Sequence, residues 1–233
     1  MSTLNDLLNS IFDNNQSALY PEFEGWVRAS RRFKAFATTY SVKIRAKLKK
    51  VHDEGGMNDL RAELEAAMLL LREERFTLEY ETYAAAKQRG PDFTVTFKTH
   101  TPFNVEVRRL RSREWDTDNS EARIGKLMEV LCDKVGQMPP SIINLLWLTS
   151  DDILAETDIA QAMATLRQLA ERKTDDFFTR RGYKSATDFL RQYQHLSAII
   201  VYHATEPILW LNPLARYKAP LEMVNAMRRV GDG

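Results

Sequence analysis

The chain has 233 residues, 44% apolar and 28% charged, a balance that fits an ordinary globular protein and excludes a disordered or fibrous one. A net charge of +1 gives no global pull toward an anionic partner, and a single cysteine, Cys132, excludes an intrachain disulfide framework. No apolar run has the length needed to span a bilayer. The acidic start MSTLNDLLNSIFDNN lacks the basic-then-apolar order of a secretory signal, so the expectation is a cytoplasmic protein without membrane attachment. One Cys and four scattered His leave no zinc-binding spacing, and nothing in the sequence indicates an oligomer.

Residues 1–56 read as a helical N-terminal extension, with Ile44, Leu48 and Val51 at helical spacing and His52-Asp53-Glu54-Gly55-Gly56 as a stop. The charges in this region are segregated. The first 24 residues carry only acids, whereas residues 25–51 carry nine basic residues and no acid. Of these, Arg28, Arg31, Arg32, Lys43, Arg45 and Lys47 are the candidates to track a phosphate backbone. The competing reading is a pair of helices with solvated basic faces.

Residues 57–233 read as an α/β core continuous with that extension. Asn58 or Asp59 starts a helix through NDLRAELEAAMLLLREE, striped by Leu60, Leu64, Ala67, Met68 and Leu71. The period then changes to two. FTLEYE (76–81), DFTVTFK (92–98) and FNVEVRRL (103–110) alternate apolar and polar residues and have short links, predicting an antiparallel three-strand meander. Asp118, Asn119 or Ser120 caps a helix through ARIGKLMEVLCDKVGQM, which Pro139-Pro140 ends. SIINLLWL (141–148) and LSAIIVYH (196–203) are apolar enough for strands buried on both faces, separated by helices over 151–173 and 185–194. PILWLN adds an edge strand, and Pro220 opens a last helix. The sum is a central mixed sheet with helices on both faces.

The chemistry concentrates in residues 90–111, GPDFTVTFKTHTPFNVEVRRLR. The register that buries Phe93, Val95 and Phe97 with Phe103, Val105 and Val107 brings Asp92 and Glu106 out on the same side of the sheet. Two adjacent carboxylates repel unless a proton or cation lies between them. Mg²⁺, or Mn²⁺, suits such a pair, because it takes hard oxygen ligands and keeps several waters.

This order of elements, with Pro91-Asp92 and Glu106-Val107-Arg108 on the second and third strands, resembles the restriction-endonuclease-like nuclease superfamily over residues 57–205. That family's motif is Pro-Asp, a variable gap, then Asp or Glu, any residue, and Lys. The resemblance implies a Mg²⁺-dependent hydrolase of DNA phosphodiester bonds. It implies Asp92 and Glu106 as metal ligands, the Val107 carbonyl as a third oxygen, and Glu63 on the preceding helix as a supplement. Arg108 stands where the family has Lys. Arg titrates above about 12, so it can stabilise phosphate charge but cannot serve as a general base. Lys126 on the following helix, with Arg123 one turn earlier, is the candidate substitute. The alternative is a catalytically inactive module of the same fold that binds nucleic acid or a protein partner.

Outside this stretch, His100, His195 and His203 lack nucleophile partners and read as surface or sheet-end residues, and Trp147 and Trp210 read as core. Trp115, in a polar loop after the Glu106 strand, is a candidate ligand contact.

Overall fold

The computed structural model describes residues 3–13, 17–83, 90–111, 120–150, 154–202 and 207–231. Four helices come first: α1 (Leu4–Ile11), α2 (Tyr20–Ala29), α3 (Arg31–Thr39) and α4 (Ser41–Lys50). A longer helix, α5 (Glu54–Leu70), leads into strands β1 (Phe76–Tyr80), β2 (Phe93–Phe97) and β3 (Thr101–Leu110). Then come α6 (Ser120–Val135), β4 (Ile143–Ser150), α7 (Glu156–Glu171), α8 (Asp175–Thr179) and α9 (Ala186–Tyr193). Strands β5 (Leu196–Tyr202) and β6 (Ile208–Leu211) precede the last helix, α10 (Leu221–Arg228). Among the described residues no helix is long and apolar enough to cross a membrane.

The six strands form one open mixed sheet in sequence order. β1, β2 and β3 are the antiparallel meander, β3, β4 and β5 run parallel, and β6 returns antiparallel on the edge. Parallel neighbours need crossovers, which α6 and the α7–α9 group supply. Both faces are therefore covered. Phe93, Val95, Phe103, Val105, Trp147 and Ile200 pack beneath α1–α5 and α10, while Leu110, Leu146, Leu148, Ile199 and Val201 pack against α6, α7 and α9. This double burial explains the nearly continuous apolar runs of β4 and β5.

The N-terminal helices share the core of the meander. Leu8, Phe23, Phe33, Phe36 and Ile44 belong to the same apolar cluster as β1–β3, and the Phe36 ring lies 5.7 Å from that of Tyr80 and 6.3 Å from that of Phe93. Arg32 fastens this layer. Its guanidinium donates to the carbonyls of Leu71 and Glu73, each at 2.7 Å, and to that of Phe76, where α5 ends and β1 begins. Carbonyls at a helix C-terminus have no intrahelical donor, so a buried cation there satisfies several at once. Arg32→Met is expected to lower the unfolding free energy by about 2 to 3 kcal/mol, whereas Arg31→Met, on an exposed position, should change it by less than about 0.5 kcal/mol. Urea unfolding of the two variants measures the difference.

Three boundaries depart from the sequence reading. α4 does stop ahead of residues 52–56, at Lys50, but the break is only three residues long. Asp53 already caps α5, its side chain accepting the Gly56 N–H at 2.6 Å, so that helix starts at Glu54 and not at Asn58 or Asp59. First-turn N–H groups lack intrahelical partners, so Gly is tolerated there. At Gly55 the absence of a side chain matters, since a Cβ would meet the Arg111 guanidinium at 3.3 Å. Pro220 is the N-cap of α10, not a first-turn residue. The five-residue helix α8 was not expected, being too short to show a helical period.

Candidate functional site

The β2–β3 ladder pairs Phe93 with Val105 and Thr94 with Asn104, which is the register that buries the apolar sets together. One step beyond the last pair, Asp92 comes opposite Glu106. There the carboxylate of Asp92 takes over from the backbone ladder: its Oδ2 accepts the Val107 N–H at 2.8 Å, while its own carbonyl accepts the Glu81 N–H at 2.7 Å. Asp92 is thus tied to β1 through its main chain and to β3 through its side chain. The N–H and C=O of one strand residue leave on the same side, so the Val107 carbonyl also faces toward β2.

Glu106 turns toward α6. Its carboxylate meets the Lys134 ammonium at 2.5 Å, both side chains being only 14% exposed. Lys134 lies in the last turn of α6, where a cation is also favoured by the helix C-terminus. On the other face of the sheet, Glu63 of α5 meets the Lys47 ammonium of α4 at 2.5 Å, and Lys47 reaches Glu81 at 2.8 Å. The same ammonium sits 4.8 Å above the ring centroid of Tyr80, a cation–π contact within the useful range.

These pairs form one electrostatic cluster centred on Asp92. Burial first and the Glu106 charge second push the Asp92 carboxyl up to about 7, against the opposing pull of Lys47, the Val107 N–H and Lys134. Burial raises Glu63 to about 7 as well, with the Asp92 charge adding and Lys47 opposing. Tyr80, beside Glu63, is pushed far above its ordinary range, first by burial and then by that carboxylate. Four carboxylates (Glu63, Glu81, Asp92, Glu106) thus face two ammoniums (Lys47, Lys134). With every group ionised, two negative charges stay uncompensated by those lysines. Such a site takes up protons or a cation.

The donor set fits a hard divalent ion, since every candidate ligand is an oxygen: the Asp92, Glu106 and Glu63 carboxylates and the Val107 carbonyl. The carboxylates are not gathered around a common point. Among the described residues no group of three or more His, Cys, Asp or Glu side chains is arranged to hold a metal ion. Lys134 and Lys47 serve instead as counter-ions of Glu106 and Glu63.

Comparisons with family models, curated proteins and solved structures return no match.

The other sequence candidates are distributed as follows. Arg108 is half-buried on the Glu106 face of β3 and makes no ion pair or hydrogen bond among the described residues. Lys126 lies 3.3 Å from Glu129 on its own helix, and Arg123 lies 3.2 Å from Asp158. The ammonium that reaches Glu106 comes from Lys134, two turns beyond Lys126. In the basic segment, Arg28 pairs with Glu24 at 2.7 Å and Arg45 with Asp13 at 2.6 Å, Lys43 donates to the Tyr80 carbonyl at 2.8 Å, and Arg31 is exposed. Trp115, His203, Asp118 and Asn119 lie outside the described residues. Lys134 and Lys47 are the residues that sequence reasoning missed as members of this site. Their signal is indirect: each is a lysine on an amphipathic helix whose apolar face packs on the sheet, which leaves its long side chain to reach a carboxylate at the rim.

Proposed function

We propose that this chain is a nuclease-like protein of the restriction-endonuclease-like superfamily that hydrolyses DNA phosphodiester bonds with Mg²⁺ or Mn²⁺. The observation that supports it most is the pairing of Asp92 with Glu106 across β2 and β3, with a lysine ammonium from α6 delivered to Glu106. A motif that lacks Lys at position 108 regains an ammonium from elsewhere in the chain.

Asp92, Glu106 and the Val107 carbonyl would hold the cation, with Glu63 as an outer carboxylate. A divalent cation held there supplies Lewis-acid polarisation of the phosphate and a water of lowered pKa. The chain's own part is positioning and charge. Were Glu106 to serve as a cation ligand, the Lys134 ammonium now paired with it would be available to the negative charge that builds on the phosphate. Arg108, permanently charged and unpaired among the described residues, offers a second cation on the same strand face. Lys47, a single ammonium shared by Glu63 and Glu81, offsets part of their charge, and the remainder adds to the repulsion felt at Asp92.

A second reading draws on one observation, the closed Glu106–Lys134 pair. A lysine fixed in that place makes a non-catalytic module that binds nucleic acid or a protein partner on the same fold. The two readings part on one experiment. Plasmid, linear and branched DNA are incubated with the protein and Mg²⁺ or Mn²⁺, in parallel with the Asp92→Ala/Glu106→Ala variant. Cleavage by the parent and none by the variant is the expected result. Cleavage that persists in the variant removes this site from the account, and no cleavage by either supports the module.

A further inference from the structure

A cleft of about 370 Å³ runs between the end of α4 and the start of α5, with Lys47 and Glu63 on its wall. It adjoins the carboxylate cluster through contacts, since Lys47 on its wall bridges Glu63 and Glu81, and the Glu81 N–H donates to the Asp92 carbonyl. Val51 and Leu60 give it an apolar patch, and its volume lies within the range of ligand-binding clefts.

The charges lining this cleft are unevenly committed. Three acids border it: Asp59 and Glu63 are neutralised by cations, whereas Asp53 has a backbone donor but no counter-ion among the described residues. Asp53 accepts the Gly56 N–H, Asp59 is held by Arg109 at 3.2 Å and Arg111 at 2.5 Å, and Glu63 is held by Lys47. Lys50 and His52 also line the cleft. Both are exposed and make no hydrogen bond or ion pair among the described residues. The donors left to meet a ligand are an ammonium and an imidazole, both able to donate to phosphate oxygens, above an apolar patch that suits a base or sugar.

We propose that this cleft is a substrate subsite that seats one nucleotide of the nucleic-acid strand next to the scissile bond, with Lys50 and His52 on its phosphate. The proposal rests on the nuclease reading, which supplies the scissile position at Asp92 and Glu106, and it adds the path the strand takes from there. Lys50 thereby becomes a member of the basic segment that contacts the backbone, whereas Arg28 and Arg45 are paired with acids and Arg32 and Lys43 are bound to carbonyls.

Fluorescence anisotropy with fluorescein-labelled single-stranded and duplex DNA oligonucleotides, in EDTA over a range of salt concentrations, tests it. Lys50→Gln/His52→Gln is expected to weaken binding about tenfold and to lower the slope of log affinity against log salt by about one. Lys98→Gln, at the far end of β2 and paired with Glu222, should match the parent. Equal affinity and slope for the parent and the double variant, or no binding by the parent, overturns the subsite. Cleavage assays on the same proteins separate the two ideas. A parent that cleaves while the double variant binds unchanged keeps the nuclease and discards the cleft. Binding through Lys50 and His52 without cleavage keeps the cleft and discards catalysis.

Discussion

Lys134→Met is expected to slow cation-dependent cleavage by about 10²- to 10³-fold, the scale seen when one preorganised donor to a developing negative charge is removed. Lys134 acts on two groups. It is the counter-ion of Glu106 at 2.5 Å, and its charge also holds down the Asp92 carboxyl, which burial and Glu106 push up to about 7. Its removal leaves Asp92 harder to ionise. If the reaction needs Asp92 as a carboxylate, its rate rises with pH through that group's pKa, so the rising limb of the pH–rate profile should move to higher pH in the variant. Lys134→Arg keeps the charge but exchanges a compact ammonium for a planar fork, and should keep the parent's pH profile while recovering only part of the rate. Single-turnover cleavage across pH 5.5 to 9 reads both effects. A variant that cleaves at the parent's rate with the parent's profile excludes Lys134 from the site, and Arg108 then becomes the cation to test.

The parts of this site that follow from alternation were legible in the sequence. Phe93, Val95 and Phe97 against Phe103, Val105 and Val107 fix the face, because a one-residue slip would turn one of the two apolar sets outward. The register itself, Phe93 opposite Val105 and Phe97 opposite Thr101, is not set by alternation, since a slip of two residues keeps the faces. Asp92 and Glu106 therefore had to share a side. The antiparallel meander followed from its short links, and a mixed sheet from the helix-length links after it; the parallel order of β3, β4 and β5 was not part of that reading. What alternation does not encode is how far along its axis a helix meets the sheet. Lys126 and Lys134 lie on the same helix two turns apart, and only the packing of α6 decides that Lys134 is the one opposite Glu106. Lys47 was hidden for a similar reason. Counted along the chain, it is one cation in a strip of nine; in space it belongs to Glu63 and Glu81. Charge runs report composition, and their partners depend on which helices come together. Arg108 looked like the central question because it occupies the motif position, yet the cation beside Glu106 comes from another element.

The carboxylate cluster has a stability cost that pH and a cation should both reveal. An unfolded Asp92 ionises near 3.8, and the folded one is pushed up to about 7. Glu63 moves likewise from 4.5 to about 7. Between those values the folded chain keeps protons that the unfolded chain has released. Unfolding free energy therefore falls as pH rises from about 4 to 7 and is flat outside that window with respect to these groups. Asp92→Asn keeps the size of the side chain and an oxygen to accept the Val107 N–H, but removes a charge from the cluster. Above pH 7.5 the variant should be more stable than the parent by up to about 4 kcal/mol, the worth of a rise from 3.8 to about 7, and at pH 4 the two should nearly match. Mg²⁺ at 100 times its dissociation constant should stabilise the parent by about 2.7 kcal/mol at pH 8, and the Asn variant hardly at all. Thermal unfolding at the two pH values, with and without Mg²⁺, gives the comparison. Destabilisation of Asp92→Asn at pH 8, with an unchanged response to Mg²⁺, would mean that Asp92 is a structural carboxylate stabilised by its lysines. The opposite outcome, a residue that costs the fold stability and repays it only when a cation binds, is the mark of a functional site.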